Sequence, residues 1–368
     1  MVENPRFHLG IGPELRQSFD NQDPDDVGKP IRISFLPAGS EDTASSRIRV
    51  YSLQQAMAKH GVCAAVGFEP ESDVVVVQKK VTDEILNLAG KAKDQGAAIV
   101  YDVDDLSSAL DYWTSPAHFR AMLELADLVT TDTEGHREFL MKNCEASRVE
   151  IVPDCIDYYP DSPCPVLTKD AAPMRVMWFG SIGNIDLFQK YAEILRSIPD
   201  VEVVVMTGAE SIRDYAATHS GITVVPWSRA GFIESLQSCH LTCLMHDGSE
   251  IDRAKSNNKM ITSIHWGVPA AVSRTPEYER TAREAAIEDA LFEDDRELRE
   301  VVERLRPAEA RRNYLVKAQQ ALWKRYSPEA VARQFQNMME KLVHECRNKI
   351  CKRAFQSHFG KGLRPRLG

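Results

Sequence analysis

Apolar residues come along this chain in two rhythms. Short runs rich in β-branched and aromatic residues, Ile31–Leu36, Val62–Phe68, Asp73–Gln78, Ala97–Asp102 and Leu128–Thr131, have the length of strands. Between them lie stretches whose apolar positions recur every three or four residues. From Arg47 to His60 these are Ile48, Tyr51, Ala56 and Met57, with Gly61 as the stop. Thr82–Gln95, Pro116–Ala126 and a segment capped by Thr133 carry the same period, and Arg148–Val152 is a further strand. The valines of Asp73–Gln78 suit a parallel strand covered on both faces. Strand and helix in alternation predict a doubly wound α/β sheet.

The rhythm breaks between Asp157 and Pro173, where Pro160, Pro163, Pro165 and Pro173 fall close together. It then restarts. Met174–Phe179, Val201–Met206, Ile222–Pro226 and Cys239–Met245 read as strands, with helices over Asp186–Ser197 and Gly231–Ser238. The expected organisation is a first α/β domain at 30–157, a linker at 158–173 and a second α/β domain at 174–325. A helix at 326–345, opened by Ser327-Pro328-Glu329, is expected to pack back on the first domain. Residues 1–29 read as a loose arm, and 346–368 as a basic tail containing Arg347, Lys349, Lys352, Arg353, Lys361, Arg364 and Arg366. The tail reads as a disordered, solvated segment; its second reading is attachment to an anionic membrane surface. Two such domains leave a cleft outside the carboxyl ends of their strands, where ligands sit.

The most informative single stretch is Lys255 to Ser273. Ser256 reads as a helix N-cap, and Met260, Ile261 and Ile264 share one face. Gly267 and Pro269 then end the helix before a strand at Val268–Val272. A helix N-terminus beside Arg253, Lys255 and Lys259 is a site for phosphate or diphosphate, unless it is an ordinary connector with exposed basic residues.

Composition narrows the classes. The chain has 368 residues, 43% of them hydrophobic and 27% charged, as in an ordinary globular protein of two domains. A net charge of -9 argues against general nucleic-acid binding, and no apolar run approaches membrane-spanning length. The eight cysteines form no C-x-x-C pair and no zinc-spaced cluster, so reduced core thiols in the cytoplasm are the expectation.

Several stretches carry a resemblance. These are Ala44-Ser-Ser-Arg-Ile-Arg49, Val100-Tyr-Asp-Val-Asp-Asp-Leu106, Ile151-Val-Pro-Asp-Cys-Ile-Asp157, Trp178-Phe-Gly-Ser181, and Lys255-Ser-Asn-Asn-Lys259 followed by Gly267-Val-Pro269. To them are added Leu291-Phe292 and Tyr326-Ser-Pro-Glu329. In this order and spacing they resemble the GT-B glycosyltransferases of the family 4 and family 1 group kind. The resemblance implies two Rossmann-like domains facing across a cleft, with C-terminal helices. It also implies transfer of a sugar from a nucleoside diphosphate sugar to a hydroxyl of a glycan or lipid-linked glycan. The donor would be held by Gly180, Ser181, Gly183, Asn184, Trp227, Arg253, Lys255, Ser256, Asn257, Asn258 and Lys259. The acceptor would meet Ser46, Arg47, Arg49 and Asp105, and Asp102 or Asp104 would orient or deprotonate its hydroxyl. No cofactor or metal is implied, since basic residues and helix dipoles do that work in this fold. Arg47 and Arg49 either hold an acceptor phosphate or pair with Glu41 and Asp42. Trp227 is either a surface for the base or a core tryptophan, and Asp105 also suits an N-cap.

The chain departs from the family pattern in two places. Thr262 stands where a glutamate is usual on the donor helix, and Ser181 and Asn184 replace a basic pair. These departures keep two other readings open: a GT-B-fold sugar-nucleotide isomerase, and an inactive subunit that binds nucleotide or a partner protein.

Overall fold

A computed structural model describes residues 30–105, 114–159, 162–164, 172–181, 185–208, 221–246 and 248–359. The expected N-terminal arm, most of the proline-rich linker and residues 360–368 of the tail lie outside the described residues.

The first half builds a parallel six-stranded sheet. Its strands are β1 (Arg32–Leu36), β2 (Cys63–Val66), β3 (Val74–Gln78), β4 (Ala98–Asp102), β5 (Leu128–Thr131) and β6 (Val149–Ile151), in the order β2-β1-β3-β4-β5-β6. Helix α1 runs through three continuous stretches, Ala44–Ser46, Arg47–Tyr51 and Ser52–Lys59, the middle one wound in π fashion. Then come α2 (Asp83–Asp94), α3 (Pro116–Leu125) and α4 (Glu134–Asn143). Thr82, Ser115 and Thr133 cap these three by accepting from the backbone N–H three residues on.

The second half repeats the plan. Its strands are β7 (Met174–Phe179), β8 (Val201–Thr207), β9 (Ile222–Pro226), β10 (Leu241–Leu244), β11 (Ala270–Ser273) and β12 (Leu291–Phe292), all parallel, in the order β12-β11-β10-β7-β8-β9. The helices are α5 (Ile185–Arg196), α6 (Phe232–Gln237), α7 (Glu250–Ala254), α8 (Asn258–His265), α9 (Pro276–Ala285), α10 (Asp295–Arg304), α11 (Ala308–Tyr326) and α12 (Pro328–Phe359). The short α7 was not expected from the sequence, where its five residues are too few to show a period. The strand order reverses between β1 and β3 in one sheet and between β7 and β10 in the other. A cleft is expected at these points, because the chain leaves the two strands toward opposite faces.

The valine run of β3 shows how both faces are used. Val74 and Val76 enter one core with Ile33, Phe35 and residues of α1, while Val75 and Val77 enter another with Ala89 of α2, Met122 of α3 and Leu140 of α4. The first of these cores is completed from the far end of the chain. After α11 the backbone passes beside the 154–157 crossover, where the Ile156 N–H donates to the Tyr326 carbonyl at 2.9 Å. Helix α12 then lies on the first sheet and contributes Val331, Ala332, Phe335, Met339, Leu342 and Val343. The rings of Phe35 and Phe335 stack with centroids 5.8 Å apart. Helix α12 continues to Phe359, so residues 346–359, expected as part of a disordered tail, are helical. Among the described residues no helix is long and apolar enough to cross a membrane.

Docking of α12 has a measurable consequence. Phe335 is buried, whereas Val316 on α11 is 57% exposed. Phe335→Ala is expected to lower unfolding free energy by about 3–5 kcal/mol, and Val316→Ala to change it little. Equal urea midpoints for the two variants would mean that α12 does not close the first domain's core.

Candidate functional site

The two domains meet around the crossover Asp154–Asp157 and the start of α8. Asn258 Nδ2 donates to the Cys155 carbonyl at 2.9 Å. The Asp157 N–H donates to Thr262 Oγ1 at 3.1 Å, and Trp266 Nε1 donates to the Asp157 carbonyl at 3.1 Å. One face of α8 is therefore laced to the segment leaving the first domain. On the other side of the gap, Thr133 Oγ1 donates to the Ala254 carbonyl at 2.6 Å. Gly135 lets α4 come this near, since a Cβ there would stand 3.0 Å from the Ala254 Cα.

Ser256 does not cap α8, contrary to the sequence expectation. The cap position is Asn257, which makes no side-chain cap bond and sends Nδ2 to Thr281 Oγ1 at 2.7 Å. The Ser256 hydroxyl instead donates to Asp154 Oδ2 at 2.7 Å, across the domain boundary. A carboxylate buried in the crossover outcompetes the backbone for that hydroxyl, because a charge-assisted bond is the stronger one.

Asp154 belongs to a buried charge network. Arg49 grips Asp102 with two parallel bonds, Nε to Oδ2 at 2.8 Å and Nη2 to Oδ1 at 2.6 Å. Its Nη1 reaches the Val152 carbonyl and Asp154 Oδ1, both at 2.9 Å. Thr130 Oγ1 donates to Asp102 Oδ1 at 2.7 Å. Burial alone would lower the Arg49 pKa, but Asp102 and Asp154 overcompensate and raise it, so the guanidinium stays charged. Asp102 is 4% exposed and is not on the cleft wall, contrary to its expected role as a base for an acceptor hydroxyl. Arg49 is likewise closed to an acceptor phosphate.

Asp104 and Asp105 are also engaged. Both pair with the buried ammonium of Lys79, at the carboxyl end of β3. Burial would lower the Lys79 pKa, and the two carboxylates raise it. Asp104 is pushed up by burial and by Asp105 against the pull of Lys79. Neither aspartate lines the cleft cavity. Close by, Asp132 and His136 form a buried pair that holds the imidazole pKa up against desolvation. Sequence reasoning missed this pair, although its i, i+4 spacing at the start of α4 was a usable signal.

Of the expected acceptor residues, Arg47 does reach the cleft. Its Nε and Nη2 donate to Asp157 Oδ1 and Oδ2 at 2.7 and 2.8 Å, and Nη1 donates to the Glu41 carbonyl at 2.8 Å. It lies over the Tyr158 ring at 4.7 Å and within 6.0 Å of the Trp227 ring. The partners of both arginines are thus aspartates of the crossover and β4, not the side chains of Glu41 and Asp42. Glu41 pairs with Arg229 of the second domain. Ser46, buried, donates to Gln78 Oε1 at 2.7 Å and does not line the cavity.

The cavity between the domains has a volume of about 330 Å³. Of the expected donor residues it brings together Gly180, Ser181, Trp227, Asn258 and Lys259, with Arg47 facing them. Gly183 and Asn184 lie outside the described residues. Arg253 is exposed, Lys255 pairs with Asp252, and neither lines the cavity; Ser256 and Asn257 stand behind the wall. Trp227 is 36% exposed on the cavity wall, so it is not a core tryptophan. Sequence reasoning missed the aromatic wall beside it: Tyr158 stacks on Phe232 at 4.6 Å, and Phe179 meets Phe232 edge-on at 5.1 Å. Gly180 is required on the cavity wall, because a Cβ there would come within 2.9 Å of the Trp178 ring and 3.2 Å of Lys259 Nζ. Among the described residues no carboxylate lies within ion-pair distance of Lys259. Desolvation, then the charge of Lys255, bring its pKa down to about 8 against the pull of Asp252. The cavity thus brings together an ammonium, a close backbone approach and an aromatic surface.

No family model and no curated protein matches the sequence. Solved structures do match in fold. Anabaena HepE, in complex with UDP and glucose, aligns with a TM-score of 0.56 at 14% identity, over 84% of this chain and 99% of that one. A trehalose-6-phosphate synthase studied with bisubstrate glycomimetics aligns with a TM-score of 0.53 at 10% identity, over 79% and 77% of the two chains. TarM of S. aureus, in complex with UDP and other ligands, aligns with a TM-score of 0.52 at 11% identity, over 72% of this chain and 55% of that one. The chain has the GT-B glycosyltransferase-like fold, two Rossmann-like domains facing across a cleft.

The Arg49 network is open to test. Arg49→Met would leave Asp102 and Asp154 as uncompensated buried charges, so a loss of about 3–5 kcal/mol of stability is expected in urea unfolding. Adding Asp102→Asn to Arg49→Met should recover part of that loss. A single-variant cost under about 1 kcal/mol would show that the network is solvated.

Proposed function

We propose that this chain is a glycosyltransferase that moves a sugar from a nucleoside diphosphate sugar to a hydroxyl of a glycan or lipid-linked glycan. The observation that carries the reading is the chemical make-up of the inter-domain cavity. Lys259, the backbone at Gly180 and the Trp227 ring line one space, as a ligand with an anionic diphosphate and a flat base would require. The ligands bound to two neighbours in fold support it, UDP and glucose with HepE and UDP with TarM. In this reading Lys259 neutralises charge gathering on the leaving diphosphate, the step at which a preorganised cation contributes most. The acceptor enters from the first domain, and closure of the domains aligns the reacting atoms.

A second reading, a subunit that binds nucleotide without turnover, is favoured by one observation. Asp102, Asp104 and Asp105 are each tied to a buried cation, leaving none of them to take a proton from an acceptor. Incubating the protein with UDP-, GDP- and ADP-sugars, with and without glycan or lipid-linked acceptors, separates the two. Nucleoside diphosphate released only when acceptor is present is the expected result. Binding with no release in any combination would leave the second reading.

Lys259 sets the pH behaviour of binding. Its pKa lies near 8 in the folded protein, below the ordinary lysine value of about 10.4. The charged form that an anion needs is therefore present below about pH 8 and lost above it. Nucleoside diphosphate affinity is expected to fall about tenfold per pH unit as pH rises beyond 8, apart from any contribution of diphosphate binding to the lysine's own pKa. Lys259→Arg should flatten that fall, and Lys259→Ala should weaken binding at pH 7 by about tenfold or more. Calorimetric titration checks all three, and an unchanged affinity in Lys259→Ala would move the anion site elsewhere.

A further inference from the structure

We infer that the ion pair between Glu41 and Arg229 is a clasp, holding the two domains together at the end of the cleft away from the chain crossings. It is a salt-sensitive device, independent of what the cavity binds. The pair is made directly between the domains, from the segment after β1 to the segment after β9. Thr133 and Ala254 make a second direct contact, from the segment after β5 to α7, which follows β10. In the first sheet β1 and β5 are three strand positions apart, and in the second so are β9 and β10. At about 4.8 Å per strand, the two contacts are separated by about 14 Å in each domain.

Both chain crossings lie at the Thr133 end. The crossover Asp154–Asp157 follows β6, the neighbour of β5, and the Ile156 N–H bond to the Tyr326 carbonyl brings the return crossing to the same place. A rotation of one domain about these crossings therefore separates Glu41 from Arg229 further than it separates Thr133 from Ala254. The cavity walls come from the strands between. Asp42, Ala44 and Arg47 follow β1, and Gly180, Gly208 and Trp227 follow β7, β8 and β9. Glu41 adjoins Asp42 in sequence and Arg229 lies two residues beyond Trp227, so the pair ties one wall to the other.

Both partners are carried on fixed backbone. The Glu41 carbonyl accepts from Arg47 Nη1 at 2.8 Å, and the Thr43 N–H donates to the Ser40 carbonyl at 2.9 Å across the turn that holds Glu41. On the other side the Gly231 N–H donates to Ser228 Oγ at 3.1 Å, and the Trp227 N–H donates to the Thr207 carbonyl at 3.0 Å. Little backbone freedom is left to lose when the two side chains meet. The Glu41 side chain is 32% exposed and that of Arg229 is 45% exposed, so water and ions reach the pair. An exposed pair shifts an equilibrium by about two- to fivefold, and its attraction is largely screened at 1 M salt. The contacts at the crossing end, Ser256 with Asp154, Asn258 with the Cys155 carbonyl and Thr133 with the Ala254 carbonyl, each use a neutral donor. Salt therefore acts chiefly on the far end.

Small-angle X-ray scattering of the full chain, without ligand, tests the clasp at 50 mM and at 1 M NaCl. The profiles are fitted as a mixture of domains together and domains apart. At 50 mM NaCl, Glu41→Gln and Arg229→Gln should each raise the apart-to-together ratio by about two- to fivefold. The reversed pair, Glu41→Arg with Arg229→Glu, should bring it back toward the unsubstituted value. At 1 M NaCl the unsubstituted protein should match the single variants, which themselves change little with salt. Arg296→Gln serves as the control, since it removes an exposed pair with Glu300 inside α10, and should leave the ratio unchanged. Single variants that scatter like the unsubstituted protein overturn the inference. So does a reversed pair no more compact than the singles, or an equal expansion in Arg296→Gln. No nucleotide enters the measurement, so each of these failures leaves the proposed function as it stands.

Discussion

A guanidinium taken out of water must be surrounded by acceptors, and Arg49 organises this protein through that constraint. Its acceptors come from the end of β4 and from the crossover beyond β6, and Asp154 passes the interaction on to Ser256 ahead of α8. Three chain segments distant in sequence are thereby tied to one small cation. Such a network costs more to break than it adds when made, so its effect is to exclude other arrangements of those segments. The placement of the crossover decides where Asp157 and Tyr158 stand, and these two form part of the cavity wall.

Arg47, two residues away, uses similar chemistry toward a different end. Its carboxylate partner is also a crossover aspartate, but its flat face lies against aromatic rings, and the pair is in contact with the open space. Of two arginines two residues apart in a helix, one is closed inside the first domain and the other faces the second. The π winding of Arg47–Tyr51 accompanies this divergence.

Much of the fold was legible in the sequence, because period and punctuation are local. The valine run of β3, the cap Thr133 and the proline-rich break each declare themselves within a few residues. The cavity was legible in part: Gly180, Ser181, Trp227, Asn258 and Lys259 do share one space. The errors fell where the deciding partner was far away. Ser256 looks like a cap until Asp154 is placed beside it, and Asp102 looks like a base until Arg49 closes over it. Arg47 and Asp157 are 110 positions apart, and no pattern of spacing announces their pair. The aromatic wall was missed for the same reason, since Tyr158, Phe179 and Phe232 come from three separate elements.

The docking of α12 on the first sheet also bears on how the chain is made. Ile33, Phe35, Val74 and Val76 leave the ribosome well before part of their covering, Val331 to Val343. The first domain therefore cannot finish its interior until α12 has emerged, unlike an independent domain that folds as it is made. One side of a growing sheet stays uncovered until α12 is synthesised. During that interval the nascent polypeptide presents a greasy surface for which a chaperone is the natural temporary occupant.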